Sequence, residues 1–479
     1  MSLTSLWNDR RPHVDPVPPA VAGEWDVVVV GGGLTGLTTA GLLARAGKSV
    51  LVIEARHVGA GTTGGSTAKV SLLQGTHYSR IARRHPAPVL RRYADANAEG
   101  LAWIARFCTE HGVDHQRRPA YTYAHGEKGA RSVRSELDAL HRAGVEEATW
   151  VDEVPLPFAT AGAVRLDDQL QLDPVELVDA LAADARAHGV VIAEGARVER
   201  VHGRRPHRVV TEAGDADADT VVIATNMPIL DRGGFFARAK PARSYSLAFR
   251  TAEPAVDGMF LSADQPSRSL RDAPDADGPL LLVGGEGHKV GASTSEREHL
   301  DRIRAWTAEH FPGASETHAW SAQDYLPHHA LPYAGPLLPG AEGILVAGGY
   351  SKWGLTNGVA AALALSGRIL GGHLPWASAY EPWSTRELSG LPDGLRINAG
   401  VAVEMTTGWF HKLTGAIGGG EERPVCTHLG GVLRWNDAEE SWDCPLHGSR
   451  FAPDGSVLEG PATCPLQLRP AEQDQPAGR

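Results

Sequence analysis

The segment "EWDVVVVGGGLTGLTTAGLLARAGKSVLVIEAR", Glu24 to Arg56, constrains the fold of this 479-residue chain more than any other. It runs apolar strand, glycine turn, helix to Ala46, second apolar strand and acidic residue, the order of a βαβ unit. Gly31, Gly33 and Gly36 are spaced G-x-G-x-x-G directly after the strand Trp25 to Val30. A tight turn there lets backbone approach a pyrophosphate, and amides at the helix N-terminus face that anion. Glu54 follows Gly36 by 18 residues, where a carboxylate accepts hydrogen bonds from ribose hydroxyls. A lone glycine pattern is weak, but here strand, helix and acid agree. The pattern does not separate FAD from NAD.

Later segments read as returns to the same sheet. "VVIAEGARVERV", Val190 to Val201, is followed by "DTVVIATNMP", a strand ending in Ala224 and Thr225. "EGILVAGGYSKWGLTNGVAAALALSGRILGG" is a further strand, glycine turn at Gly349 and helix, whose amides approach a cofactor a second time. The fold class is therefore α/β.

Near the other end, Cys426 and His428 form C-x-H, fifteen residues intervene, and Cys444 and His447 form C-x-x-H. Two thiolates and two imidazoles make either a tetrahedral zinc site or a Rieske [2Fe-2S] centre, which takes two Cys on one iron and two His on the other. The Rieske reading is favoured, because each loop supplies one of each ligand type. Glycines in "HLGG" and "HGSRF" let amides approach the sulfurs, and Ser449 is placed to donate to one. High-potential Rieske proteins carry an inter-loop disulfide, a Ser and a Tyr; here Gly431 and Leu446 stand at the disulfide positions and Phe451 at the tyrosine's. Hydrogen bonds to sulfur favour the reduced cluster, so a midpoint below that of respiratory-chain Rieske proteins is expected, checked by redox titration. Only 32 residues follow His447, too few for the catalytic domain of a Rieske oxygenase. Upstream, Ile397, Val401, Met405 and Trp409 recur at helical spacing, so a helix over 395–415 is expected where a Rieske domain ordinarily has strands. The module is only about 55 residues, small enough to need a metal centre or a docking partner.

The charge balance, 46 Lys plus Arg against 57 Asp plus Glu, net -11, has no basic tract to follow a phosphate backbone, so no nucleic-acid partner is expected. "MSLTSLWNDRRPHVDPVPPA" does not look like a signal peptide. The most apolar helical stretch, Gly358 to Gly372, carries Arg368 and is shorter than the roughly 20 residues of a membrane span. Four cysteines, two of them in the ligand pattern, argue against a disulfide framework and for the cytoplasm.

The blocks "GTTGGSTAKVS", "GGEGHKVG", "WSAQDYLPHHALPYAG" and "GGYSKWGLTNG" resemble those of FAD-dependent oxidoreductases of the D-amino-acid oxidase (DAO) superfamily, in the bacterial branch with a C-terminal Rieske domain. The resemblance implies a Rossmann-like two-domain flavoprotein over 1–375, a helical linker over 376–420 and a short all-β Rieske module over 421–479. The nucleotide-binding segments fall at about 1–80, 165–235 and 326–375, and the substrate domain at about 81–164 and 236–325. It places Glu54 on the ribose, Val198 near the adenine, Thr67, Ala68 and Lys69 near the pyrophosphate or flavin, and Trp353, Gly354 and Leu355 near the isoalloxazine. No cysteine lies near "SAQDY", so the FAD is expected to be non-covalent.

The resemblance also implies oxidation of a C–N bond in an amine or amino acid. Arg243, Tyr245, His288, Lys289, Tyr325 and Lys352 are candidates to line that site or else pack in the core, with Arg243 or Lys352 suited to a substrate carboxylate. Asn226 and the pair His328 and His329 depart from the branch's usual residues. Flavin takes two electrons and a Rieske cluster one, so electrons are expected to pass between them, to or from an external one-electron donor or acceptor. Two other readings stand beside this one: a simple oxidase using oxygen with a structural or degenerate tail, and a redox-responsive binding protein.

Overall fold

The structure, a computed structural model, describes residues 3–11, 21–418 and 423–468. Val27 to Val30 are almost entirely buried, as a parallel strand covered on both faces must be. Glu24–Val30 pairs in parallel with Val50–Ile53 on one side and Gly214–Asn226 on the other. Among the described residues these belong to an eight-stranded sheet, extended by Val191–Ala193 at one end and by Ala341–Gly348 and Tyr333–Leu338 at the other. The helices Leu34–Arg45 and Gly354–Ile369 pack beside each other, with Ala87–His111 against the second. Strand, turn and helix therefore recur where the sequence predicts them.

Among the described residues a second, nine-stranded mixed sheet has Ser315–Pro327, Ala239–Arg250 and Leu280–Lys289 adjacent at one end and Ala163–Leu172 and Lys69–Val70 at the other. Two expected boundaries shift here. Ala163–Leu172 straddles position 165 but pairs with His115–Tyr123 and with Lys69–Val70, both in this second sheet. The segment expected to be nucleotide-binding to about residue 80 thus crosses into the second sheet at Lys69. Among the described residues no helix is long and apolar enough to cross a membrane.

The linker holds two short 3-10 helices, Pro375–Tyr380 and Thr385–Gly390, then one long helix, Leu391–Gly418, slightly longer at both ends than the periodicity predicts. The C-terminal module is a four-stranded antiparallel sheet of Arg434–Asn436, Ser441–Asp443, Arg450–Phe451 and Val457–Glu459. Among the described residues only the isolated bridge Val425 to Val432 stands ahead of it. The strands expected to be missing there are replaced by the helix.

So small a sheet leans on the larger body. The helix Arg297–His310 has no capping side chain of its own; Asp437 of the module accepts from its Glu296 and Arg297 amides at 2.7 and 3.2 Å. A carboxylate at a helix N-terminus meets both the unpaired amides and the dipole.

Candidate functional site

The sequence-predicted nucleotide residues converge on one cavity of about 400 Å³ between the C-terminal edge of the first sheet and the face of the second. Gly31, Gly33, Glu54, Thr67, Lys69, Val198, Ala224, Trp353, Gly354 and Leu355 all line it. Gly31 sits at φ +112, and a Cβ there would lie 2.6 Å from the Ala224 carbonyl oxygen. Gly33 begins the helix without a side-chain cap, leaving amides open to an anion. The Glu54 carboxylate is aimed by two amides, Gly32 N at 2.8 Å and Arg56 N at 2.9 Å. Beside the cavity, Asn226 Oδ1 and Ser351 Oγ are buried without a hydrogen-bond partner, atoms that a polar ligand edge would satisfy. The cradle fits a dinucleotide.

Three expected cofactor contacts do something else. Gly36 packs the helix onto the turn, and a Cβ there would stand 1.9 Å from the Gly31 carbonyl oxygen. The Ala68 carbonyl accepts from Arg271 at 3.1 Å. Gly349, at φ +73, makes room for Pro327, 2.7 Å from where its Cβ would be. The Gly36 clash is with backbone, and overpacking of that kind costs about 1–3 kcal/mol. Since each 1.4 kcal/mol is about tenfold in affinity, Gly36→Ala is expected to copurify with substoichiometric flavin, read from the flavin-to-protein absorbance ratio.

The wall between this cavity and the C-terminal module is a pair of strands, and side-chain alternation decides what each residue touches. Ala242 pairs with Asp324 and Ser244 with Ala322 across the ladder, and all four line the cavity. The intervening pairs, Pro241 with Tyr325 and Arg243 with Gln323, face the module. Gln323 Nε2 donates to the Gly448 carbonyl at 2.7 Å, Tyr325 OH to that of Gly460 at 3.2 Å, and a Cβ on Gly448 would lie 2.7 Å from Pro241. Arg243, 1% exposed, bonds Asp443 at 2.6 Å and Glu439 at 2.8 Å. Burial alone would lower its pKa, but these carboxylates raise it and keep the guanidinium charged.

Arg243 and Tyr325, expected at the substrate, are therefore module contacts, because positions 241, 243, 323 and 325 face the module; past the register shift between Arg243 and Tyr245 the strand turns Tyr245 to the cavity. His288 lies behind Tyr245, whose hydroxyl it meets at 3.1 Å, and stacks on His299 at 4.2 Å; burial lowers its pKa to about 4. Lys289 faces Glu404 of the long helix. His328 and His329 share Glu387 outside the cavity. Of the expected catalytic set, Tyr245 and Lys352 border the cavity. Lys352 Nζ donates to Ser244 at 2.5 Å, and Lys69 Nζ to Ser269 at 2.6 Å. Burial, with Arg271 nearby, lowers Lys69 to about 7.

One contribution has no local sequence signal: Leu458, Glu459, Gly460 and Thr463 of the C-terminal module line the same cavity. They are held there partly by Arg197, which donates to the Val457 carbonyl at 2.6 Å.

In the module, Cys426 and Cys444 are both buried, and each shifts the other's titration. The neighbouring Cys444 lowers Cys426, while Cys426 and burial raise Cys444. The backbone of His428 and Leu429 and the Ser449 side chain also act to lower Cys426, and the backbone of Leu446 and His447 acts to lower Cys444 against its burial. Gly430 and Gly448, at φ +72 and +84, turn both loops. The imidazoles of His428 and His447 stand 5.2 Å apart at 84°, and His447 Nδ1 is buried without a partner. Among the described residues no three ligand-type side chains converge on one ion position, whereas a two-iron cluster asks for two protein ligands at each iron. The donor set fits a [2Fe-2S] cluster better than one zinc.

Residues 26–368 match the family model of FAD dependent oxidoreductases (DAO), and residues 423–470 that of the Rieske [2Fe-2S] domain. YhfW of Bacillus subtilis, provisionally named a Rieske 2Fe-2S iron-sulfur protein, is 31% identical over 93% of both chains. The chloroplastic cytochrome b6-f complex iron-sulfur subunit of Bigelowiella natans is 54% identical over 50 residues, 10% of this chain and 20% of its own. Glycine oxidase from Geobacillus kaustophilus shares the fold at a TM-score of 0.61 and 19% identity, covering 73% of this chain and 96% of its own. FAD and a [2Fe-2S] cluster are the cofactors these matches imply.

Proposed function

The chain belongs to the FAD dependent oxidoreductase (DAO) family and carries a C-terminal Rieske [2Fe-2S] domain, and from that premise we propose that it oxidises the C–N bond of an amine or amino acid and relays the electrons between the flavin and the cluster, to or from an external one-electron partner. Bound FAD supplies a two-electron acceptor and the cluster a one-electron carrier.

The alternating wall carries the proposal. Ala242, Ser244, Ala322 and Asp324 face the flavin cavity, while Arg243, Gln323 and Tyr325 on the same two strands bond the module that holds the cluster ligands. One layer of backbone thus separates the two redox compartments. At the cavity, the amines of Lys69 and Lys352 are each positioned by a serine hydroxyl. Burial lowers the pKa of both amines, and a carboxylate arriving beside them would favour their charged forms, so a carboxylate-bearing substrate suits the site better than a simple amine and an amino acid is the preferred class. The fold neighbour glycine oxidase is named for such a substrate.

Anaerobic rapid mixing with a panel of amino acids and amines, followed by absorbance and freeze-quench EPR, tests this. An amino acid is expected to bleach the flavin and then bring up the reduced-cluster signal. Bleaching with the cluster left oxidised favours the simple oxidase; a panel in which nothing bleaches the flavin favours the redox-responsive binding protein.

A further inference from the structure

The two ligand imidazoles are buried, His428 at 5% and His447 at 4% exposed. What covers them is the flavoprotein's own segment beyond Asn226. Phe236 stands edge-on to both rings, at 5.3 Å from His428 and 4.8 Å from His447. Asp231 reaches His428 itself: its Oδ1 accepts from Nε2 at 2.6 Å. Two residues earlier, Ile229 lines the flavin cavity.

This contact fixes the chemistry of one histidine. With Nε2–H bonded to a carboxylate, the proton sits on Nε2 and the lone pair on Nδ1, the tautomer in which Nδ1 is the nitrogen free to bind iron. A carboxylate partner also makes the ring a stronger donor and adds negative charge close to the metal, and both favour the oxidised cluster. We propose that Asp231 is a positioning residue that the flavoprotein domain supplies to the cluster: it orients His428 and sets the midpoint potential below that of the same module without it. The Asp231 side chain is 57% exposed, so water screens part of its charge. An effect near one order of magnitude in the redox equilibrium is the scale to expect. The inference needs the cluster but not the relay, so the measurement uses no substrate.

The full-length holoprotein and Asp231→Asn are titrated at one pH, with the reduced cluster followed by EPR. Asparagine keeps the size and a hydrogen-bonding oxygen but loses the charge. The midpoint is expected to rise so that reduction is favoured about tenfold, 59 mV for one electron, with iron content unchanged and the g-values shifted. Asp231→Glu is expected to recover most of the shift. An Asp231→Asn protein whose iron content or melting temperature falls while the midpoint of the remaining cluster stays put would assign Asp231 a merely structural role and overturn the proposal. So would full iron loading with an unmoved midpoint. Failure of the substrate-driven relay leaves this result untouched.

Discussion

Arg243→Met is expected to destabilise the protein by roughly 3–5 kcal/mol, the usual cost of removing one partner from a buried ion pair. Arg243 is 1% exposed and sits between Asp443, also 1% exposed, and Glu439. Arg450 is the other cation of the box, bonding Glu439 at 3.1 Å and approaching Asp443 at 3.4 Å and Glu459 at 3.7 Å. One cation against three acidic groups cannot compensate them, and Glu459 is already pushed up by burial. Acid sensitivity should move with it. Burial works to raise Asp443 and Glu439, yet Arg243 and Arg450 outweigh it and hold both below the usual carboxylate range. Groups depressed in the folded state add stability above their unfolded pKa, near 4 for carboxylates, and that stability is lost as pH falls through the folded values. Without Arg243 the acid unfolding midpoint shifts to higher pH. Urea denaturation at neutral pH and an acid titration by circular dichroism check both claims. A methionine variant within 1 kcal/mol of the parent would mean that apolar packing replaces the pair, as it does in some redesigned cores.

Cys444→Ser should take the protein from two irons per chain to none and loosen the module that depends on them. The module's core is Leu433, Leu446, Phe451, Val457, Ala462 and Leu466 around the two cysteines, too little apolar area for a domain of this size to hold alone. Because Leu458, Glu459, Gly460 and Thr463 line the flavin cavity, loss of the cluster is expected to reach the flavin too. Iron assay, flavin content after gel filtration and limited proteolysis near residue 423 read the three effects. An iron-free variant that keeps full flavin and resists protease like the parent would show that the module's docking contacts alone hold it.

The residues that could be read correctly from sequence are those whose roles are local. Gly31, Gly33 and Glu54 lie within one βαβ unit, and Cys426, His428, Cys444 and His447 within two short loops, so spacing alone fixes their geometry. Arg243 and Tyr325 were not readable in this way. Their strand neighbours are buried or half-buried on both faces, so no polar-apolar alternation marks which face meets the cavity and which the module. Asp231 gave no signal at all, since its partner His428 is 197 residues away and the run Leu230 to Gly234 reads as an ordinary turn. A still longer separation in sequence hides Glu459 and Thr463 from the glycine loop they help to enclose.

That enclosure sets an order of assembly. The glycine turn at Gly31 is translated well before Leu458, Glu459, Gly460 and Thr463, so a growing chain holds an open-sided nucleotide groove until those residues emerge. The groove acquires its last side when the small sheet folds, and that sheet is stapled by iron and sulfur. If the cluster is what holds that sheet in place, flavin retention follows cluster delivery, and the flavin content of Cys444→Ser reads that order directly.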